Sequence, residues 1–202
     1  MNVVRLFTWI QRAEFYHKLH AEAVSLLPEA QGDQQWIDIG CGPGLVTRLA
    51  ASRGYQALGI DLNPQMIAAA QRIAQHEGSS AVFRQGQVEA VANAAASVIS
   101  AASLLAVLAD PMAGLTTLWQ SVRPGGTLLI IEPTAAMTVS HACHLLQNES
   151  LGKGKIGLYL WANARQGYTI DPSLYTRLQD AQLKYTALLH GLVGVWILQK
   201  AD

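Results

Sequence analysis

The chain has 202 residues, half of them hydrophobic and 14% charged, and its formal net charge at pH 7 is zero. This length predicts one domain with a sizeable core, and the neutral charge argues against nucleic acid as a partner, because no positive field is available to hold a polyanion. The two cysteines form neither a disulfide framework nor a zinc-site spacing, which is typical of a reducing, cytoplasmic compartment and predicts no metal site.

The N-terminal segment, residues 1–30, is predicted to be helical. Apolar residues recur every three or four positions from Leu6 to Leu26, and Pro28 ends the pattern. We expect one amphipathic helix that is broken at most once. Charges at Arg5 and Arg12 and the lack of a small-residue cleavage site argue against a signal peptide. No later stretch is long and apolar enough to predict a membrane span.

Short apolar runs then alternate with helical patterns. Strands are predicted at QWIDI, QALGID, AVFRQG, SVISAA and TLLIIEP, the last after a turn at RPGG. Helices are predicted at residues 45–53, 64–78 and 111–122, and the link between the third and fourth strands is either helix or loop. This alternation indicates an α/β fold with a doubly wound, mostly parallel sheet.

Residues 134–169 depart from this alternation and carry two apolar helical stretches around LGKGKIG. An irregular segment of this length is usually functional, and we expect a helical cap over a substrate site, with Lys153 and Lys155 in a mobile lid. Its apolar residues suit a pocket for a small lipophilic or aromatic molecule. They could equally bury the segment against the sheet or form a homodimer interface. They are Met137, Val139, Leu145, Leu146, Leu158, Tyr159, Leu160 and Trp161.

The C-terminal residues are predicted to form a helix and a hairpin. The helix runs from Pro172 to Gln182. The apolar runs KYTALLH and VWILQK follow it, joined by a short turn between Gly191 and Gly194. We expect this antiparallel hairpin at the edge of the sheet.

A glycine-rich turn joins the first strand to the next helix, with glycines at Gly40, Gly42 and Gly44. Ligands of open α/β sheets bind at the carboxyl ends of the strands, where helix N-termini present free amides. A dinucleotide fingerprint would need another glycine where Leu45 stands. The acid at Asp38 would also repel a pyrophosphate, whereas it would attract an ammonium group. The turn therefore favours a ligand that carries an amine.

A second acid, Asp61, ends the next strand. Its carboxylate is suited to two vicinal ribose hydroxyls. Dinucleotides and other nucleoside cofactors both present such hydroxyls, so this acid predicts a ribose without choosing between the two classes.

These motifs resemble those of class I S-adenosylmethionine-dependent methyltransferases. The resemblance lies in DIGCGPG, GIDLNPQMIAAA and RPGGTLLIIEP, which follow one another in family order between Trp36 and Pro133. It implies a Rossmann-like fold with a seven-stranded sheet that ends in an antiparallel strand. It also implies S-adenosylmethionine as cofactor, with S-adenosylhomocysteine as product.

The resemblance implies roles for individual residues. Asp38 would help hold the ammonium of the cofactor, and the turn containing Gly40 and Gly42 would back its methionine part. Asp61 would bind the ribose, and Leu62 would lie against the adenine.

Other positions depart from the family pattern. Many members carry Gly-Asp after the third strand, where this chain has Gly86 followed by Gln87, whose amide oxygen can still accept a hydrogen bond from adenine. Val88 would complete the adenine site. The helix after the fourth strand often carries a polar pair, and Ala106 and Val107 stand there instead. The chain therefore has few polar residues on the predicted substrate side.

Methyl transfer is an in-line displacement at a sulfonium, so the protein mainly has to align the acceptor. A base is needed only if the acceptor loses a proton. His141 is the candidate base, because its helix follows the fifth strand and should lie over the cofactor. Histidines at helical spacing are more often surface or partly buried side chains than catalysts, and this alternative applies to His141 and to the other paired histidines, His144, His17 and His20. Glu132 could contact the substrate or cap the next helix.

The leading hypothesis is a methyltransferase that acts on a small, lipophilic or aromatic molecule, with oxygen favoured over other acceptor atoms. The alternative is a non-catalytic S-adenosylmethionine-binding partner or regulatory subunit, because the residues around the fourth strand are apolar. A nicotinamide-dependent reductase is a third possibility. Leu45, Asp38 and the absence of a Tyr-x-x-x-Lys pair argue against it.

Overall fold

A seven-stranded sheet forms the centre of the computed structural model, which describes residues 3–92 and 94–202. Its strands are β1 (Gln35–Ile39), β2 (Gln56–Asp61), β3 (Val82–Gln85), β4 (Ala96–Ala102), β5 (Val122–Pro133), β6 (Ala181–Leu188) and β7 (Val193–Lys200). Their order is β3-β2-β1-β4-β5-β7-β6. The first five are parallel to one another, and β7 is antiparallel to both β5 and β6. This confirms the predicted doubly wound, mostly parallel α/β class.

Seven α-helices surround the sheet in the described residues. They are α1 (Val3–Gln11), α2 (Glu14–Ser25), α3 (Leu45–Ser52), α4 (Pro64–Glu77), α5 (Pro111–Gln120), α6 (Val139–Asn148) and α7 (Ile156–Arg165). The N-terminal helical pattern is broken once, between α1 and α2, as predicted. None of the described helices is long and apolar enough to cross a bilayer.

The sheet is buried on both faces because apolar residues of the central strands alternate between two layers. Trp36 of β1 joins the core formed with α2, α3, α6 and α7, whereas Ile37 and Ile39 join the core formed with α5. Leu129 and Leu128 of β5 divide in the same way. Parallel strands buried on both faces read as continuous apolar runs, which explains why the sequence located them.

The order of the strands places a crevice at the carboxyl ends of β1 and β4. From β1 the chain builds outwards through β2 and β3, and it then returns to place β4 on the other side of β1. Helices that follow the two neighbouring strands therefore diverge to opposite faces. In open α/β sheets, such a reversal of strand order is where ligands bind.

The RPGG segment differs from the sequence expectation of a turn before the fifth strand. The RPGG residues lie within β5 and form a bulge. Ala96 of β4 pairs with Val122 and Val98 pairs with Thr127, so β5 has extra residues between these two pairs. The link before β4 contains a short 3₁₀ helix, Val88–Val91, and Asn93 lies outside the described residues, as do Met1 and Asn2.

The predicted helix from Pro172 to Gln182 was wrong. A short 3₁₀ helix, Pro172–Arg177, stands there, and Leu178 is already extended. The following residues are taken up by β6, which begins at Ala181 and pairs with β7. The predicted hairpin is confirmed, with β6 at the edge of the sheet and β7 inside it.

Candidate cofactor site at the carboxyl ends of the strands

The glycine-rich turn between β1 and α3 is held against the end of β2. The amides of Gly40 and Cys41 both donate to the carbonyl of Ile60, at 2.8 and 3.1 Å. All three glycines of the turn have positive φ. A Cβ at Gly44 would also overlap the ring of Phe83, with 2.6 Å to Cζ. The turn is therefore bare for two reasons, its left-handed backbone and its close approach to β3.

Asp61 is bonded to this turn. Its Oδ2 accepts the amide hydrogen of Gly42 at 2.9 Å, and its Oδ1 accepts that of Asn63 at 2.8 Å. Asn63 in turn caps α4, which starts at Pro64. Each carboxylate oxygen keeps a further lone pair, so Asp61 can still accept hydrogen bonds from the hydroxyls of a ligand.

Asp38 lies beneath the turn rather than in the crevice, with 1% of its surface exposed. Its Oδ2 accepts the hydroxyl of Thr47 and its Oδ1 that of Ser100, both at 2.8 Å. The Ser100 oxygen also accepts from the indole nitrogen of Trp36. Burial raises the pKa of Asp38 to about 6, and the two hydroxyl hydrogen bonds oppose that rise. Asp38 thus ties β1 to α3 and β4.

A cleft of about 590 Å³ opens beside the turn. Four predicted cofactor residues line it, namely Gly40, Leu62, Gln87 and Val88. Two others are next to these: Asp61 precedes Leu62, and it is bonded to Gly42. The structure therefore brings all the predicted cofactor residues except Asp38 around one cleft.

Sequence reasoning missed the opposite wall of this cleft. That wall consists of Leu104, Val107, Leu108, Ala109, Asp110, Ala113, Gly114 and Thr117. These residues follow β4 and enter α5, so their position depends on the crossing of the sheet. The nearest sequence signal was the apolar stretch at Ala106 and Val107.

The candidate base, His141, is exposed on α6. Its Nδ1 lies 2.9 Å from the carbonyl oxygen of Ala136, and its amide donates to the Thr138 hydroxyl. His20 has a structural role instead. It is buried, it stacks on Tyr16 with ring centroids 4.1 Å apart, and burial lowers its pKa to about 4. In residues 3–92 and 94–202, no group of three or more His, Cys, Asp or Glu could hold a metal ion.

A buried polar cluster lies at the ends of β4 and β5. A short 3₁₀ helix, Leu105–Val107, follows β4. Glu132 accepts the amide hydrogen of Leu105 at 2.7 Å, so it caps this helix rather than α6. Burial raises the pKa of Glu132 to about 7, although the positive charge of Arg165 opposes that rise. The Arg165 guanidinium donates to the carbonyl of Ser103. The Arg165 hydrogen bond thus joins the end of α7 to the residue that follows β4.

The apolar residues of the 134–169 segment mostly bury it. Met137, Leu145, Leu158 and Trp161 belong to the same core cluster as Trp36. Tyr159 remains 38% exposed. The sequence left three interpretations open for these apolar residues: a substrate pocket, burial against the sheet or a homodimer interface. Burial within the protein accounts for the four core residues.

Comparisons with known proteins agree with this geometry. A sequence profile described as "Methyltransferase domain" matches residues 37–130. That range begins in β1 and ends in β5, and it contains the glycine-rich turn, Asp61 and the residues that line the cleft.

The chain is similar in sequence to two proteins named "Ubiquinone biosynthesis O-methyltransferase". The one from Methylococcus capsulatus is 30% identical over 95 residues, which are 46% of this chain and 40% of the relative. The one from Pseudomonas fluorescens is 28% identical over 125 residues, 58% of this chain and 54% of the relative. The chain thus spans about half the length of the relatives that it matches.

Solved structures share the fold at low sequence identity. The phosphoethanolamine N-methyltransferase 2 of Haemonchus contortus, in complex with S-adenosyl-L-methionine, superposes with a TM-score of 0.72 at 14% identity, covering 98% of this chain and 57% of that one. The plantazolicin methyltransferase BpumL, in complex with SAH, gives 0.66 at 14% identity, covering 97% and 89%. In its fold, in the order of its motifs and in the domain match over residues 37–130, the chain is similar to the class I S-adenosylmethionine-dependent methyltransferases.

Proposed function

We propose that the protein transfers a methyl group from S-adenosylmethionine to a small, lipophilic or aromatic molecule, with a hydroxyl oxygen as the favoured acceptor. The observation that carries this proposal is the Asp61 carboxylate bonded to the Gly42 amide beside a cleft that Leu62 lines. The names of the two sequence relatives support oxygen as the acceptor.

The cofactor would lie across the carboxyl ends of β1 and β2. Asp61 would accept hydrogen bonds from the two ribose hydroxyls. The adenine would lie against Leu62 and Val88, with Gln87 near its amino group. The turn at Gly40 and Gly42 would back the methionine part. Gly40 has no room for a side chain, because a Cβ there would lie 2.9 Å from the side chain of Leu104.

The negative charge of Asp38 would favour the ammonium of the cofactor from beneath the turn. Its two hydroxyl hydrogen bonds keep the carboxylate in place. S-adenosylmethionine supplies an activated methyl group, so the protein would contribute mainly alignment and exclusion of water. Such alignment can lower a barrier by roughly 7 to 11 kcal/mol.

We propose His141 as the base for an acceptor that loses a proton. Because a carbonyl oxygen can only accept, the Nδ1 contact with Ala136 places the ring hydrogen on Nδ1. The Nε2 atom of the neutral ring would then be free to take a proton. Residues 134–169 would form the substrate cap within a single domain of residues 1–202. A cytoplasmic location and a homodimer remain part of this proposal.

The alternative is a non-catalytic subunit that binds the same cofactor. The apolar wall that includes Val107 and Leu108 favours it, because few polar groups face the cleft from that side. Methyl transfer to any acceptor would exclude this alternative.

Isothermal titration calorimetry with S-adenosylhomocysteine tests the first step, with NADH as the control ligand. We expect binding of the first and none of the second. Transfer of a labelled methyl group is then measured on matched acceptors that share one alkyl-substituted ring and carry a hydroxyl, an amine or a thiol. We expect the hydroxyl compound to react fastest. A protein that binds neither ligand would contradict the proposal.

A further inference from the structure

We propose that Gln11 binds the amino-acid end of the cofactor, its amide oxygen accepting from the ammonium and its amide nitrogen donating to the carboxylate. This assignment rests on the proposed function and adds a residue that the motifs do not contain. Gln11 ends α1, far in sequence from the glycine-rich turn.

The fold brings Gln11 to the turn. Helix α1 packs against α4, the helix that follows β2, and against α7. The Nε2 atom of Gln11 lies 3.7 Å from the position that a Cβ of Gly42 would take. Apart from the chain neighbours of Gly42, no other atom of the described residues lies within 4 Å of that position.

The amide oxygen of Gln11 lacks a hydrogen-bond partner. Its Oε1 is shut off from solvent, and no donor in the described residues reaches it. A buried acceptor without a donor is costly, and native proteins rarely leave one unexplained. Rotation of the side-chain amide toward the glycine-rich turn would bring this oxygen to a ligand that carries N–H groups.

Asp38 leaves that role open. Both of its oxygens accept hydroxyl hydrogens, from Thr47 and Ser100, and it is almost completely buried. Its charge can favour an ammonium through the protein, but a direct contact above the turn needs another acceptor. Gln11 reaches the turn from the end of α1, with its Nε2 atom 3.7 Å from the Cβ position at Gly42.

The chemistry of a primary amide matches a zwitterionic amino acid. It offers one acceptor oxygen and two donor hydrogens, which can serve an ammonium and a carboxylate at the same time. Gly42 has no side chain to separate Gln11 from the turn, and its amide is bonded to Asp61. The two side chains thus flank one residue, Asp61 for the sugar and Gln11 for the amino acid.

The test compares two ligands that differ only in the amino-acid end. S-adenosylhomocysteine carries it, and 5′-methylthioadenosine keeps the nucleoside and the sulfur without it. Calorimetry on Gln11→Ala should show affinity for S-adenosylhomocysteine reduced about tenfold or more, as expected for hydrogen bonds to charged groups. Affinity for 5′-methylthioadenosine should be unchanged. Gln75→Ala, an exposed glutamine on α4, is the matched control and should change neither affinity.

Gln11→Met keeps the length of the side chain and serves as a second variant if alanine disturbs the packing of α1. It should show the same selective loss. Unchanged affinity for both ligands, or an equal loss for both, would overturn the assignment of Gln11 while the proposed function stands. A wild-type protein that binds neither ligand would instead remove the proposed function, and the assignment with it.

Discussion

Two carboxylates flank the glycine-rich turn in different environments. Asp38 is buried and bonded to hydroxyls, whereas Asp61 is half-buried and bonded to backbone amides. Asp61 is thus suited to direct contact with a ligand, and Asp38 to holding the turn and supplying charge. Replacing each residue should therefore affect cofactor binding in a different way.

Asp61→Ala should lower the affinity for S-adenosylhomocysteine by more than tenfold, because hydrogen bonds to two ligand hydroxyls and the support of Gly42 are lost. Calorimetry measures the affinity, and circular dichroism checks the fold. Asp33→Ala, which removes an exposed carboxylate before β1, is the control. Unchanged affinity in a folded Asp61→Ala protein would mean that the ribose is held elsewhere.

Asp38 should make cofactor binding depend on pH. Burial raises its pKa to about 6 in the free protein, and a bound ammonium would favour the charged carboxylate and lower that pKa. Binding then releases a proton below about pH 6. The affinity for S-adenosylhomocysteine should fall as the pH falls from 7 to 5, by up to about tenfold per pH unit.

Asp38→Asn tests this dependence. The variant should bind S-adenosylhomocysteine more weakly than the wild-type protein at pH 7. Its affinity should no longer fall between pH 7 and pH 5 through the titration of residue 38. Glu132 has a pKa raised to about 7 and is present in both proteins, so the comparison isolates Asp38. If the affinity depended on pH in the same way in both proteins, the pKa of Asp38 would not change when the ligand binds.

At the scale of elements, the glycine-rich turn connects β1 to α3 and contacts the ends of β2 and β3. Its glycines differ in what surrounds them. A Cβ at Gly44 would overlap the ring of Phe83, whereas one at Gly42 would have 3.7 Å to its nearest neighbour, Gln11. Both positions have left-handed backbone, with φ of 83° and 51°.

Gly44→Ala should therefore lower the free energy of unfolding by about 2 to 4 kcal/mol, since steric overlap adds to backbone strain. Gly42→Ala carries the backbone strain alone, which is about 1 kcal/mol. Urea unfolding followed by circular dichroism measures both. Equal destabilisation of the two variants would mean that the contact with Phe83 relaxes without cost.

At the scale of the whole molecule, the 134–169 segment shares the main core. Trp161 of α7 is fully buried, and its ring lies 4.9 Å from that of Tyr16 in α2. Together with Met137, it belongs to the core cluster that includes Trp36 of β1. A segment packed in this way should unfold together with the sheet.

Trp161→Ala should lower the free energy of unfolding by about 3 to 5 kcal/mol, because it removes a large buried side chain. Tyr159→Ala, on the exposed side of the same helix, should change it by less than about 0.5 kcal/mol. Urea transitions measured by tryptophan fluorescence and by circular dichroism should coincide in each protein. Two separate transitions, with Trp161→Ala moving one of them, would show that the segment folds independently.

Much of the fold followed from local patterns. The strands β1, β2 and β4 are largely buried on both faces, so their apolar runs stood out in the sequence. Asn63 and Pro64 marked the start of α4, and Gly78 its end. The helix predicted from Pro172 was too long, because β6 begins to pair with β7 at Ala181 and sequence periodicity does not report such pairing.

The sequence by itself determined the α/β class, the glycine-rich turn and the acid near the end of each of the first two strands, because these depend on residues close together in the chain. The tertiary structure decided which groups meet. Crossing of the sheet brought Leu104 and α5 to the cleft, packing of α1 brought Gln11 to Gly42, and burial directed Asp38 to Thr47 and Ser100. Such contacts join distant parts of the chain, and their geometry is set by how helices and strands pack rather than by spacing in the sequence.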